Sequence, residues 1–533
     1  MTSVNRALGW AVRRWQSLLT RCRHPRASAS PQPTPGDPRS DVAYPPPRDI
    51  RREAREFLRN VACGAVVFAV IGAVGWLAYQ EVVFPLYGRA ALALGFERGR
   101  PRAQLVDDLH YLKAALEEHH PALYRYQSPE ELNRAFARVE ATLRDGQSAA
   151  DLLRAAAPLV AAIGCGHTGL RAPLDSVHAA LTSGRVLPLG VRFIDGRCYL
   201  IAHYARGVPI PRGAELLAID GRPMSEVLKI LLADLPSDRR DNAYGSAIAE
   251  TQFPYWYWVF VSRRTRVTVR YRDPRSGDEM ECELRARPSR AVMDSFRRQS
   301  PELDPYRRPP PMKTAIFPTR GTAYLRLYTF LPQYRPDGTA VLRTFFSELA
   351  ERGVATLVLD VRGNGGGPPP VSVDLLGYLL SQPFVYLADP EPPYYQALGY
   401  EGYYKEIEPH ARGFTGRLVV LIGPGSFSTT GHFLAHLAAR DRATFVGQRS
   451  GGGALCFDAS RIIELPNTGL RLRVATLPFR AGVGELFPDW GIEPDYRVDP
   501  RPEDLVAGRD TVLTYLRTDL GIDLRPLGEP PSG

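Results

Sequence analysis

Residues 355–370 read ATLVLDVRGNGGGPPP, and the fold turns on how that run ends. A short apolar run bounded by turn residues is the pattern of a strand buried on both faces. This one ends in an Asp, an Arg and the glycines Gly365 to Gly367. Glycine adopts backbone angles closed to other residues and admits close approach to the peptide groups, so the loop can aim bare N–H donors at something negative. Outward from this strand, extended and helical patterns alternate. TAYLRLYTF (322–330) and a helix near 339–352 precede it; a helix near 371–381, the strand RLVVLIG (417–423) and the helix TTGHFLAHLAAR (429–440) follow it. The alternation predicts an α/β unit with a largely parallel sheet over 312–515.

Adjacent parallel strands present their C-terminal loops on one edge, which sets a second turn, GPGSFS (423–428), beside the first. A serine at this strand-to-helix junction sits where helix N–H groups converge, so Ser428 has the Thr429 amide ready to stabilise an oxyanion. Ser426 or Ser428 also reads as a plain N-cap, which serine favours in any helix. The glycine loop also reads as a phosphate cradle, although no GK[ST] follows it.

The chain has 533 residues, too many for one core. Its net charge of +10 is concentrated at the start: residues 1–60 hold 12 Arg against five acids, while 84–533 amount to only +4. The body therefore gives no charge argument for nucleic-acid binding. Eight prolines within 25–48 extend the reading of 1–60 to a disordered basic tail. Residues 61–79, VACGAVVFAVIGAVGWLAY, are uncharged and long enough to cross a bilayer, with Trp76 and Tyr79 at an interfacial position. The expectation is a transmembrane helix over 61–83. The arginines before it keep the tail cytoplasmic and place the body in the periplasm or outside the cell. The six cysteines show no CxxC spacing, so neither a zinc site nor a disulfide framework is indicated; an oxidising compartment leaves room for one bridge among Cys165, Cys198, Cys282 and Cys456.

Helical periodicity, with Leu105, Leu109, Leu112 and Leu116 on one face, predicts a small helical domain over 103–175 that delivers the chain to His167. Strand-like runs follow, among them RVTVRYR and MECELRA with alternating apolar residues. Residues 213–221, GAELLAIDG, resemble the core motif of PDZ domains, so 185–290 is read as a PDZ-like β module. His432 and His436 stand four apart on one helix, but with no HExxH arrangement they read as packing residues, and His119 and His120 as structural.

LVLDVRGNGGG, GPGSFSTTGHF, VGQRSGGG and FPDWGIEPD follow one another as in the S41 peptidases, the tail-specific or C-terminal processing serine proteases. GCGHTGL and the preceding LEEHHPALY resemble the lead-in of the tricorn-core-like branch that uses histidine. The resemblance spans about 103–515. It implies a multidomain α/β protein with a crotonase/ClpP-like catalytic core and a PDZ module that holds a substrate's C-terminus. It implies Ser428 as nucleophile, His167 as base and Glu485 as the acid that orients it, with Asp489 as the alternative acid. Gly365, Gly366 and Thr429 are the oxyanion donors. A Ser-Lys dyad is excluded, because Gly453 stands in the lysine's place and none of the four lysines lies beyond Lys405. No metal or organic cofactor is implied. Three departures stand out: Cys165 where the family has an acid, Gly431 in the run after the serine, and Gly453. The expected function is a membrane-anchored serine endopeptidase acting on exported polypeptides. An inactive PDZ-bearing scaffold or ligand-binding protein and an esterase on the same core are the alternatives.

Overall fold

The central strand of the α/β unit has apolar residues pointing both ways, and each set meets its own layer. The computed structural model describes residues 96, 98–173, 184–238, 242–299, 312–331, 338–388, 398–484, 489–525 and 527. The expected tail (1–60) and membrane segment (61–83) lie outside the described residues, as does Glu485. Among the described residues no helix is long and apolar enough to cross a membrane.

The chain opens with α1 (Arg102–His119), α2 (Pro129–Thr142) and α3 (Ala149–Ala161). Ser128 with Glu131, and Ser148 with Asp151, form reciprocal capping boxes that start α2 and α3. After β1 (Gly169–Arg171) come β2 (Leu189–Ile194), β3 (Arg197–His203) and β4 (Glu215–Ile219). Then follow α4 (Met224–Asp234), α5 (Ala243–Thr251), β5 (Arg266–Arg272) and β6 (Glu279–Arg285). Strands β2 to β6 form an antiparallel sheet in the order β2-β3-β4-β5-β6. Alternation in β5 puts Val267, Val269 and Tyr271 inside and Arg266, Thr268 and Arg270 outside.

The second half begins with β7 (Met312–Phe317), β8 (Thr322–Leu327), α6 (Gly338–Glu351), β9 (Thr356–Asp360) and α7 (Pro370–Leu379). It continues with β10 (Arg417–Ile422), α8 (Thr429–Ala438), β11 (Thr444–Gly447), β12 (Leu455–Asp458) and β13 (Arg461–Glu464). β14 (Arg471–Val474), β15 (Leu477–Ala481), β16 (Tyr496–Arg497) and α9 (Thr511–Thr518) complete it. The main sheet runs β7-β8-β9-β10-β11-β16, parallel except for the β7–β8 hairpin. Leu325, Leu357, Leu359, Leu418 and Val420 pack beneath α6 to α8, while Tyr324, Val358, Val419 and Leu421 pack against Val512 and Leu516 of α9. Period-two alternation buried on both sides is why β9 reads as an unbroken apolar run.

The Asp and Arg that end β9 serve the fold. Asp360 is fully buried and accepts from Arg362 at 2.7 Å and from the Tyr324 hydroxyl at 2.9 Å. Arg362 reaches on to Asp510, the N-cap of α9, at 2.9 Å. Burial opposes ionisation of Asp360, but Arg362 and Arg326 outweigh it and hold the carboxyl at about 2.

A small sheet, β1-β14-β13, joins the two halves of the chain. Gly169 pairs with Arg473, and the Thr168 hydroxyl accepts the Ala475 amide at 3.0 Å. Asp108 of α1 is buried and accepts the Asn467 and Thr468 amides at 2.9 and 2.7 Å, which pins the β13–β14 turn. Cys165, Cys198, Cys282 and Cys456 are all free thiols, so the bridge for which the sequence left room does not form among them.

Candidate active site

The β10-to-α8 turn is held by its first serine and leaves its second free. Ser426 donates to the Val361 carbonyl at 2.9 Å, and the Phe427 amide donates to the Asn364 carbonyl at 3.0 Å. Ser428 occupies the N-cap position of α8, yet its hydroxyl makes no capping bond. Its backbone sits at φ 59°, ψ −126°, a region that costs a non-glycine residue about 1–3 kcal/mol. The strained strand-to-helix turn leaves Oγ uncommitted to the helix, as in a nucleophile elbow.

His167 meets that hydroxyl from the loop before β1. Its Nε2 lies 3.1 Å from Ser428 Oγ, across 261 residues of sequence, and both side chains are buried. The same Nε2 lies 3.4 Å from Asp458 Oδ2, at the end of β12. Asp458 is fixed by the Ser460 hydroxyl at 2.6 Å and by Arg473 at 3.0 Å. The Phe427 ring packs on the imidazole at 4.9 Å and is stacked with Tyr244 of α5 at 3.7 Å. Burial pushes His167 below its usual value against the opposing pull of Asp458, so the ring is neutral at pH 7. Burial also resists ionisation of Asp458, but protonated His167, Arg473 and the hydrogen bonds from Ser460 together outweigh it and hold the carboxyl below its usual value. Among the described residues, His167 Nδ1 is buried without a hydrogen-bond partner.

The glycine loop packs directly on Ser428. Gly366 has φ +94°, and a Cβ there would stand 2.8 Å from Ser428 Cβ and 3.0 Å from the Thr429 amide nitrogen. The Thr429 amide opens α8 and is one of its orphan donors. Gly365 and Thr429 donate no backbone hydrogen bond among the described residues, whereas the Gly366 amide is taken up by Asn364 Oδ1 at 2.9 Å. Of the three expected donors, the structure therefore leaves Gly365 and Thr429 open and shows Gly366 as the spacer that lets the loop approach.

Asp489 is not brought to His167: Arg125 and Arg480 each hold it at 2.6 Å. Glu485 lies outside the described residues. Sequence reasoning missed Asp458; its signal was an acid ending an apolar strand, LCFD (455–458), as Asp360 ends LVLD. The two departures at glycine belong together, since a Cβ on Gly431 would stand 2.6 Å from Gly452 and 2.7 Å from Gly453. Helix α8 thus packs backbone to backbone on the SGGG turn. Cys165 is a buried thiol pushed up to about 12 by desolvation, and the Gly166 amide beside it donates to Asp238 at 2.6 Å. His432 and His436 donate to the carbonyls of Phe479 and Tyr386 at 3.0 and 2.9 Å, as packing residues do.

Comparison with known proteins follows this geometry. The model of peptidase family S41 matches residues 321–498. The "C-terminal processing peptidase, chloroplastic" of Tetradesmus obliquus is 31% identical over 186 residues, 34% of this chain and 36% of that one. The match thus spans little more than a third of that relative's length. Among solved structures, mature CPAF superposes with a TM-score of 0.55 at 17% identity, over 76% of this chain and 94% of that one. Mature CPAF complexed with lactacystin gives 0.56 at 17% identity, over 76% and 95%. At that identity the likeness is one of fold.

Proposed function

We propose, from the premise that residues 321–498 match the model of peptidase family S41, that this chain is a serine-type endopeptidase of that family acting on exported polypeptides. The observation that carries the reading is the 3.1 Å contact between His167 Nε2 and Ser428 Oγ. Ser428 attacks the scissile carbonyl while neutral His167 takes its proton and later returns it to the leaving amine. Asp458, 3.4 Å from Nε2, stabilises the imidazolium that forms. The amides of Gly365 and Thr429 receive the tetrahedral oxyanion. The resemblance assigns Glu485 to orient the ring. The antiparallel sheet β2 to β6 with α4 supports a PDZ-like module that holds a substrate's C-terminus. The apolar run 61–79 supports a single-pass membrane anchor with a cytoplasmic tail and an exported body.

The full chain in detergent, treated with a fluorophosphonate probe, tests the reading. Labelling of wild type, absence of labelling in Ser428→Ala, and digestion of an unfolded protein are the expected results. A folded wild type that resists the probe is the scaffold, and one that hydrolyses small esters but leaves unfolded protein intact is the esterase.

A further inference from the structure

One face of the β1-β14-β13 sheet is a row of three arginines, of which only Arg473 is ion-paired among the described residues. Leu170 and Leu472 are paired and fill the core. By strand alternation, the opposite face carries Arg171, directly across from Arg471, with Arg473 two residues further along β14. Like charges directly opposed across a sheet are destabilising. Arg473 is held by Asp458, but among the described residues neither Arg171 nor Arg471 has an ion pair. Glu464 pairs in register with Arg471, yet makes no salt bridge to it. Arg171 is exposed to solvent, and burial of part of its side chain, then Arg473, lower its basicity. Tyr255, Tyr244 and Arg471 are the other groups within its electrostatic reach, and Tyr244 stacks on the Phe427 ring that packs on His167. The row therefore starts at the catalytic carboxylate, where Arg473 sits, and leads away from it.

Building on the peptidase reading, we propose that Arg171 and Arg471 form a specificity element that binds an acidic side chain of the polypeptide substrate. Two strand residues advance about 7 Å, so in an extended substrate the acidic residue stands two or three positions from the scissile bond. A carboxylate there relieves the repulsion between the two guanidinium groups and meets a planar donor array suited to it.

The test uses the full chain in detergent and quenched fluorogenic peptides with amidated C-termini, in which Glu or Gln is scanned over three positions on each side of the cleaved bond. Glu at one position is expected to raise kcat/KM about tenfold over Gln. Arg171→Gln with Arg471→Gln is expected to abolish that ratio while leaving cleavage of the Gln peptide within about twofold; Arg171→Gln alone serves if the pair does not fold. Arg171→Glu is expected to shift preference toward Lys at the same position. A wild type that cleaves the Gln peptides with no Glu preference overturns the element and spares the peptidase reading, as does a ratio that survives the double substitution. A preference seen only with a free C-terminus assigns the arginines to chain-end recognition and also overturns it. If no peptide is cleaved, fluorescence anisotropy of the labelled Glu and Gln peptides on Ser428→Ala reads the element by itself: equal affinity rejects it, and tighter Glu binding lost in the arginine variants supports it.

Discussion

The serine half and the histidine half of the site are built by different means. Ser428, Gly365, Gly366 and Thr429 all come from two neighbouring turns at one edge of the parallel sheet, and backbone packing places them. His167 and Asp458 are placed by side chains and by pairings that span hundreds of residues: Gly169 with Arg473, Asp108 with Thr468, and Thr168 with Ala475. A backbone-built site is rigid because only the short Ser428 side chain in it has a rotamer to change, whereas a side-chain-built one depends on every link in its chain of contacts. The serine half is therefore expected to fail by steric intrusion and the histidine half by loss of a partner.

The largest effect belongs to the contact that joins the halves. Ser428→Ala and His167→Ala are each expected to lower kcat/KM by on the order of a thousandfold or more, with the double variant no worse than either single one. Additive losses, or a His167→Ala enzyme within tenfold of wild type, break the picture of two halves acting through one proton transfer. Next comes Asp458→Asn, which keeps the shape and removes the charge; it is expected to cost about a hundredfold, mainly in kcat. Glu485→Gln measured beside it sharpens the assignment. If that substitution costs as much or more while Asp458→Asn is mild, the orienting acid is Glu485.

Within the serine half, Gly366→Ala is expected to cost about 1–3 kcal/mol of stability, because its methyl meets the Phe427 carbonyl and Ser428 Cβ at 2.8 Å from a positive φ. Activity is expected to fall with it, by about tenfold or more, as the loop is pushed from Ser428. Urea denaturation and steady-state kinetics on one preparation check both. Full activity at wild-type stability shows that the two turns have room to part, and the contrast between rigid and adjustable halves fails.

The same contrast decides what could be read from the chain. Strand β9, the turn after β10 and helix α8 were legible because each is local, with apolar alternation, glycine and serine at the junction, then helical spacing. Asp360 and Arg362 drew attention beside the glycines for a reason the sequence hid, since their partners Tyr324 and Asp510 lie far off in the chain. His167 was found through the resemblance alone; nothing in its own neighbourhood points at residue 428. Asp458 was missed because strand β12 is four residues long and its neighbour β15 lies beyond an intervening hairpin. Choosing Asp489 as an alternative acid followed the motif around it, whereas in space that carboxylate is occupied by Arg125 and Arg480.

The smallest expected effect is a shift along the pH axis, and its sign separates the two partners of the histidine half. In the proposed mechanism His167 works only when neutral, so kcat/KM is expected to fall as pH drops through the His167 pKa of the free enzyme. Burial holds that pKa below the usual imidazole value of about 6.5, which places the acid limb below pH 6.5 in wild type. Asp458 favours the charged ring and Arg473 disfavours it. Removing the carboxylate in Asp458→Asn therefore moves the limb to lower pH, on top of its loss in rate. Arg473→Gln removes the opposing cation and moves the limb to higher pH, by up to about one unit, with a modest loss in rate. A neutral peptide must be the substrate, so that a change in acidic-residue recognition does not enter the profile. Limbs that move in the same direction for both variants would mean that the two groups act on the ring through its position and not through their charge.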